Sequence, residues 1–244
     1  MLLLFRVLLK SAAGEPTVSP LVAIVKYIAI MSQSNRRQLF DNWAKNYDAD
    51  VTSPDNKFPH GGYDAVLDEV VRLADIKPHM QILDLGIGTG NLTARFFHKG
   101  CRVWGVDFSA EMLAKARTKL PQANLVQADL LDEWPPELQQ LFDRVVSAYV
   151  LHEFDLETKV SLLRRIASHY LSAGGYILIA DIAFPTTTDR AEASQRWANG
   201  WDEDEYYWAA DEAIDACEQA GLRATYKQVS SCGGIFTLAI RGAG

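Results

Sequence analysis

From Gln81 onward, short runs of consecutive apolar residues alternate with stretches in which apolar residues recur every three to four positions. The first pattern is that of a strand buried on both faces, the second that of an amphipathic helix. The chain therefore predicts strands at 81–85, 102–106, 124–128, 142–148 and 176–180, and helices at 91–98, 109–120 and 156–171. Asp155 stands where the last of these helices needs an N-cap. Ser172-Ala173-Gly174-Gly175 stands where it should stop. Strict alternation implies right-handed crossovers and a parallel sheet. Ahead of the first strand, helical spacing predicts two helices, at 36–47 and at 63–74, the second ended by Lys77-Pro78.

The end of the chain breaks the alternation. A predicted helix at 211–220 stops at Gly221, and two apolar runs, 223–229 and 234–240, are joined only by Ser230 to Gly233. So short a connection cannot cross a sheet, so the pair must be an antiparallel hairpin. The expected fold is α/β: a doubly wound, mostly parallel, seven-stranded sheet of Rossmann-like type. The hairpin inserts one antiparallel strand near an edge. Residues 36–244 form one domain. The stretch 184–210 is long for a connection, which points to function. It carries Trp197, Trp201, Tyr206, Tyr207 and Trp208 around Asp202-Glu203-Asp204-Glu205. Such aromatics can line a pocket or lid, for instance for a cationic substrate, or belong to the core. The acids read first as a solvated loop or helix start.

The chemistry-bearing feature is Ile82-Leu83-Asp84-Leu85-Gly86-Ile87-Gly88-Thr89-Gly90, an apolar strand running into a loop of three spaced glycines. A dinucleotide fingerprint would need glycine at 91, where Asn91 stands. The spacing instead lets the chain pass close beneath an adenosyl group with no pyrophosphate to seat. Asp107 lies at the tip of the second strand, where a carboxylate can grip a ribose diol. Asp129 follows the third.

These motifs resemble the class I S-adenosylmethionine-dependent methyltransferases, in particular small single-domain bacterial members. The likeness runs from about Gln38 to Ile240. It includes Phe40-Asp41-Asn42-Trp43-Ala44-Lys45-Asn46-Tyr47-Asp48 and the fourth strand, Phe142-Asp143-Arg144-Val145-Val146-Ser147. The resemblance implies S-adenosyl-L-methionine as cofactor, held by Gly86, Gly88, Gly90, Asp107, Asp129 and Tyr47. Gly86 would lie under the methionine part, Asp107 at the ribose hydroxyls and Asp129 at the adenine amino group. Residues 149–154, after the fourth strand, would sit beside the transferable methyl group. That makes His152 the candidate base or orienting residue, or a packing residue with a structural hydrogen bond. Two rival readings are a non-catalytic sensor of the same cofactor and a nicotinamide-dependent oxidoreductase.

A net charge of −7 disfavours extended nucleic-acid binding. The Asn/Asp-Pro-Pro-aromatic motif of amino-methylating nucleic-acid enzymes is replaced by Ser147-Ala148-Tyr149-Val150, and no cysteine follows the fourth strand. The expected partner is a small-molecule methyl acceptor, with no nucleic acid and no membrane, and with a homodimer as the candidate assembly. Three scattered cysteines fit reduced thiols in a cytoplasmic protein. The five histidines show no acid at ligand spacing, so no metal is expected. Residues 1–35 read as an N-terminal extension, non-native or disordered. Met31 resembles a natural start, and a weak targeting or membrane-surface segment is the other reading. Neither apolar run there reaches the roughly 20 residues a membrane span needs.

Overall fold

In the computed structural model, which describes residues 36–52 and 58–242, every predicted strand forms. They are β1 (Gln81–Leu85), β2 (Arg102–Asp107), β3 (Asn124–Gln127), β4 (Phe142–Ala148), β5 (Leu171–Phe184), β7 (Leu222–Gln228) and β8 (Gly233–Ile240). A two-residue β6 (Trp208–Ala209) joins beside the end of β5. The sheet order is β3-β2-β1-β4-β5-β8-β7, with β6 off this path. Only β8 runs antiparallel to its neighbours, pairing Ile179 with Phe236 on β5 and Thr225 with Thr237 on β7. Strand order reverses between β1 and β4, so the crevice that binds ligands in such sheets opens at their carboxyl ends. The fold is that of the unit Phe40–Gly244. The readings of residues 1–35 lie outside the described residues.

The helices are α1 (Tyr47–Val51), α2 (Tyr63–Ala74), α3 (Asn91–Ala94), α4 (Ala110–Lys119), α5 (Leu156–His169), α6 (Thr187–Arg196) and α7 (Ala210–Gln219). Ser109 caps α4 by accepting from the Met112 N–H, and Asp155 caps α5 by accepting from the Thr158 N–H. On one sheet face, Val66, Leu67 and Val70 of α2 pack with Ile82, Leu178 and Ile235. On the other, Leu163 and Ile166 of α5 pack with Leu83, Ile179 and Phe236.

Four boundaries differ from the sequence expectation. The helix expected over 36–47 breaks near Ala44 and resumes as α1. The helix expected over 91–98 ends at Ala94, before a short 3-10 turn at Phe97–Lys99. Residues 172–175, expected as a helix stop, lie within β5 as an irregularity that shifts its register against β4. The stretch 184–210, expected as a loop, contains α6 and β6. Its start is signalled by Thr186, whose Oγ1 accepts from the Asp189 N–H and donates to the Asp189 carboxylate.

Candidate active site

The chain leaves β1 through a loop with φ of +63°, +54° and +87° at Gly86, Gly88 and Gly90. A Cβ at Gly86 would lie 2.5 Å from Val150 Cγ2, so the loop passes the β4 tip only as glycine. A Cβ at Gly88 would meet nothing nearer than the Gly86 carbonyl at 3.9 Å, which leaves open space above that residue. Asp107 ends β2 beside this loop and is 7% exposed. Its Oδ2 accepts from the Gly88 N–H and its Oδ1 from the Ser109 N–H, both at 2.9 Å. The carboxylate is thus oriented by the loop it adjoins. Asp129 lies two residues beyond β3, and its Oδ1 accepts from the Leu131 N–H at 2.9 Å.

The leading segment is tied over this loop by side-chain hydrogen bonds. Thr89 Oγ1 donates to Asp48 Oδ1 at 2.5 Å, and Lys119 Nζ to Asp48 Oδ2 at 2.7 Å. Ser109 Oγ donates to Asp41 Oδ1 at 2.5 Å. Burial raises the Asp48 carboxyl, but the bonds from Lys119 and Thr89 outweigh it and hold the group below the ordinary range. Tyr47, at the start of α1, sets its ring edge against Trp43 at 4.8 Å and is hydrogen-bonded to Tyr63. Burial, then Tyr63, then the charge of Asp107 push the Tyr47 phenol well up. The other leading helix, α2, packs on the sheet face and reaches the site through its first residue, Tyr63.

After β4, Tyr149 adopts φ +59° and its N–H donates to the Ala180 carbonyl. That turn places His152 at the sheet's carboxyl edge, 8% exposed. Asp181, wholly buried in β5, accepts from the His152 N–H at 2.8 Å and lies 2.6 Å from its Nδ1. The Ile182 N–H and Trp208 Nε1 complete the Asp181 carboxylate at 2.9 and 3.0 Å. The other imidazole nitrogen, Nε2, faces Glu205 at 3.8 Å. Burial lowers the His152 pKa, but Asp181, then Glu205 and Glu153, raise it above the ordinary imidazole value. The Asp181 carboxyl is held below its ordinary range, so both shifts put the proton on the imidazole.

Glu205 sits on a loop clamped to this pair. The Tyr206 N–H donates to the His152 carbonyl at 2.7 Å, and Lys159 Nζ donates to the Tyr206 carbonyl. Lys159 is 2% exposed, and its ammonium lies 4.2 Å from the Trp208 ring centroid. Desolvation brings its pKa down to about 8. The expectation of a solvated acidic run holds for Asp202, Glu203 and Asp204, which are exposed, and fails for Glu205, which is half-buried. The aromatics also divide. Trp208 and Tyr207 are buried, Tyr206 is exposed, and Trp197 and Trp201 stack on Phe58 at 4.9 and 5.6 Å. No histidine has an acid at ligand spacing in the sequence, but folding brings acids to one of them. His152, Glu153 and Glu205 offer ligand atoms that all lie within 4.8 Å of one another, a cluster assembled by folding rather than by spacing.

Three residues at the site escaped sequence reasoning. Asp84 is 2% exposed, accepts from the Thr93 hydroxyl at 2.6 Å, and is pushed up to about 7, chiefly by burial. Its signal was an acid inside an otherwise apolar strand. Asp181 gave the same signal, hidden because the strand was expected to end at Ala180. His60, 5.7 Å from the Tyr149 ring, is brought down to about 4 by burial and then by His152. Nothing in its local sequence marked it. Farther out, the Phe58–Trp197 stack borders a separate cleft of about 550 Å³, shared with Gln195, Arg196, Gly200 and Ser231.

Comparison with known proteins identifies the family. The methyltransferase domain family matches residues 82–175. A methyltransferase of Geobacillus kaustophilus is 33% identical over 201 residues, which cover 78% of this chain and 90% of the relative. The chain belongs to the class I S-adenosylmethionine-dependent methyltransferases. A second methyltransferase relative, from Alkaliphilus oremlandii, is 33% identical over 64% of this chain and 71% of its own length. Among solved structures, a DhpI–SAH complex has TM-score 0.65 at 20% identity, over 84% of this chain and 95% of that one. Magnesium protoporphyrin IX methyltransferase of Synechocystis PCC 6803 has TM-score 0.66 at 17% identity, over 86% and 100%. Both show the fold. The cofactor of this methyltransferase is S-adenosylmethionine. Among the described residues, no helix is long and apolar enough to cross a membrane.

Proposed function

We propose that this protein transfers the methyl group of S-adenosylmethionine to a small molecule seated against His152. The observation that carries the reading is the buried Asp181–His152 pair, held at the β4 tip next to the Gly86 loop. In this reading Gly86, Gly88 and Gly90 let the backbone approach the cofactor, and Asp107 accepts from the ribose hydroxyls. Asp129 faces the adenine amino group, and Tyr47 closes the leading segment over the site. The bound cofactor supplies an electrophilic methyl on sulfur, so the protein's task is alignment and proton handling.

Asp181 fixes the imidazole tautomer. With Nδ1–H donated to Asp181, a neutral His152 presents Nε2 as the acceptor for the nucleophile's proton. The lid around Glu205 and Tyr207 excludes water. The net charge of −7 and the enclosed position of His152 support a small acceptor over a nucleic acid. Three free thiols support a reducing compartment, the cytoplasm.

The sign of the pH dependence follows from the pair. A base must be neutral, and Asp181, Glu205 and Glu153 hold the His152 pKa above 6.5 against burial. Turnover should therefore rise with pH along an acid limb lying above 6.5. In Asp181→Asn that limb should move to lower pH while the maximal rate falls, as a pH–kcat profile would reveal. A limb unmoved by Asp181→Asn would remove His152 as the titrating base. The reading as a whole is tested by incubating the full chain with methyl-labelled cofactor and a metabolite extract. Label in the small-molecule fraction supports it, and label confined to RNA or protein refutes it.

A further inference from the structure

We infer that the methyl acceptor is an organic cation, an amine bound as its ammonium between Glu205 and the aromatic wall beside His152. The inference rests on the reading of the site given above and names its substrate class.

Three observations converge. The first is charge. Around His152 stand the carboxylates of Asp181, Glu153 and Glu205, against one buried cation, Lys159, and the imidazole itself. Glu205 alone among the acids of its run is turned inward, and burial raises its pKa, so the carboxylate lacks the solvation its neighbours enjoy. A cation on this carboxylate would restore what burial removes.

The second is the wall. The Tyr207 ring lies 6.3 Å from the His152 ring and meets Trp201 edge-on at 4.5 Å. Trp201 stacks on Phe58, and Tyr149 lies 5.1 Å from Tyr63. Ring faces with a carboxylate at their edge are the usual surroundings of a bound ammonium.

The third observation is independent of both. Tyr149 is 8% exposed, and its hydroxyl is buried with no hydrogen-bond partner. It lies within electrostatic range of Asp181, and the residue is held at positive φ. An unmet buried hydroxyl beside an anionic site can accept from an ammonium N–H.

A metal ion is the rival occupant of the same carboxylates.

The chemistry balances without a further reactant. The bound ammonium gives one N–H proton to the neutral His152 Nε2. The freed lone pair forms the N–C bond as the C–S bond breaks, and that bond's pair stays on sulfur. The product is an N-methylated ammonium, and the imidazolium returns its proton to water.

The test uses the full chain with methyl-labelled cofactor and a metabolite extract. Labelled small products, separated from cofactor, are passed over a cation exchanger at pH 7. Retention is the expected result. In addition, Glu205→Gln should raise the KM for the amine at least about tenfold, the scale of a lost charge-assisted bond, with cofactor affinity unchanged by calorimetry. Small products that flow through as neutral or anionic species would overturn the ammonium inference and leave small-molecule methyl transfer standing. Absence of any labelled small product would overturn both. Mn²⁺ or Zn²⁺ binding that is lost in Glu205→Gln would assign the carboxylates to a metal and overturn the inference alone.

Discussion

Replacing His152 with alanine should slow turnover by roughly 10²- to 10⁴-fold, the usual contribution of a positioned base. Cofactor affinity should stay within about twofold, because Asp107 is oriented by the Gly88 and Ser109 N–H groups and Asp84 by the Thr93 hydroxyl. Two side effects are separable. Asp181 would keep its bonds from the residue 152 N–H, the Ile182 N–H and Trp208, so it is not orphaned. The Tyr206 N–H would still donate to the residue 152 carbonyl, so the lid keeps that anchor. Steady-state kinetics paired with calorimetry on the same sample checks both halves. Equal losses in turnover and cofactor binding would make His152 a packing residue.

The second large effect belongs to Asp107. Asp107→Ala should weaken S-adenosylmethionine binding by about 1 to 3 kcal/mol, the range for leaving partners of a charged hydrogen bond unmet. It should also lower the melting temperature, since the Gly88 and Ser109 N–H groups lose their acceptor. Asp107→Asn separates the two effects. The amide oxygen can still accept one of these bonds, so stability should recover in part while ribose recognition remains impaired. Calorimetric titration with thermal unfolding on both variants would show it. An unchanged affinity in both would remove Asp107 from the cofactor site.

Why those two sites differ in how readily they were found is a matter of sequence distance. Asp107 lies within one strand–loop–helix unit of the glycine loop, and local period marks every part of that unit. The glycine conformations were legible too, because only glycine lets a loop pass as close as Gly86 does to Val150. The C-terminal hairpin was legible from connection length alone. The Asp181–His152–Glu205 array was not, since its three residues come from the β4 tip, β5 and the lid. Their proximity depends on β4 pairing in register with β5, Ser147 beside Ile179 and Ala148 beside Ala180. It depends equally on Lys159 and the His152 carbonyl holding Tyr206. Glu205 illustrates the limit best. It reads as one acid in a solvated run, and only the docking of its loop turns it toward an imidazole. Asp41 and Asp48 were legible as parts of a motif, but their bonds to Ser109 and Thr89 explain why a leading segment carries acids at those positions.

The central claim is that methyl groups pass from the cofactor to a small acceptor held at His152. The most direct measurement is label transfer from methyl-labelled S-adenosylmethionine into a metabolite extract, run in parallel with wild type and His152→Ala. The account predicts a labelled small product that accumulates with wild type and falls at least about a hundredfold with the variant. Label appearing only in macromolecules, or a small product formed equally by both proteins, would contradict it.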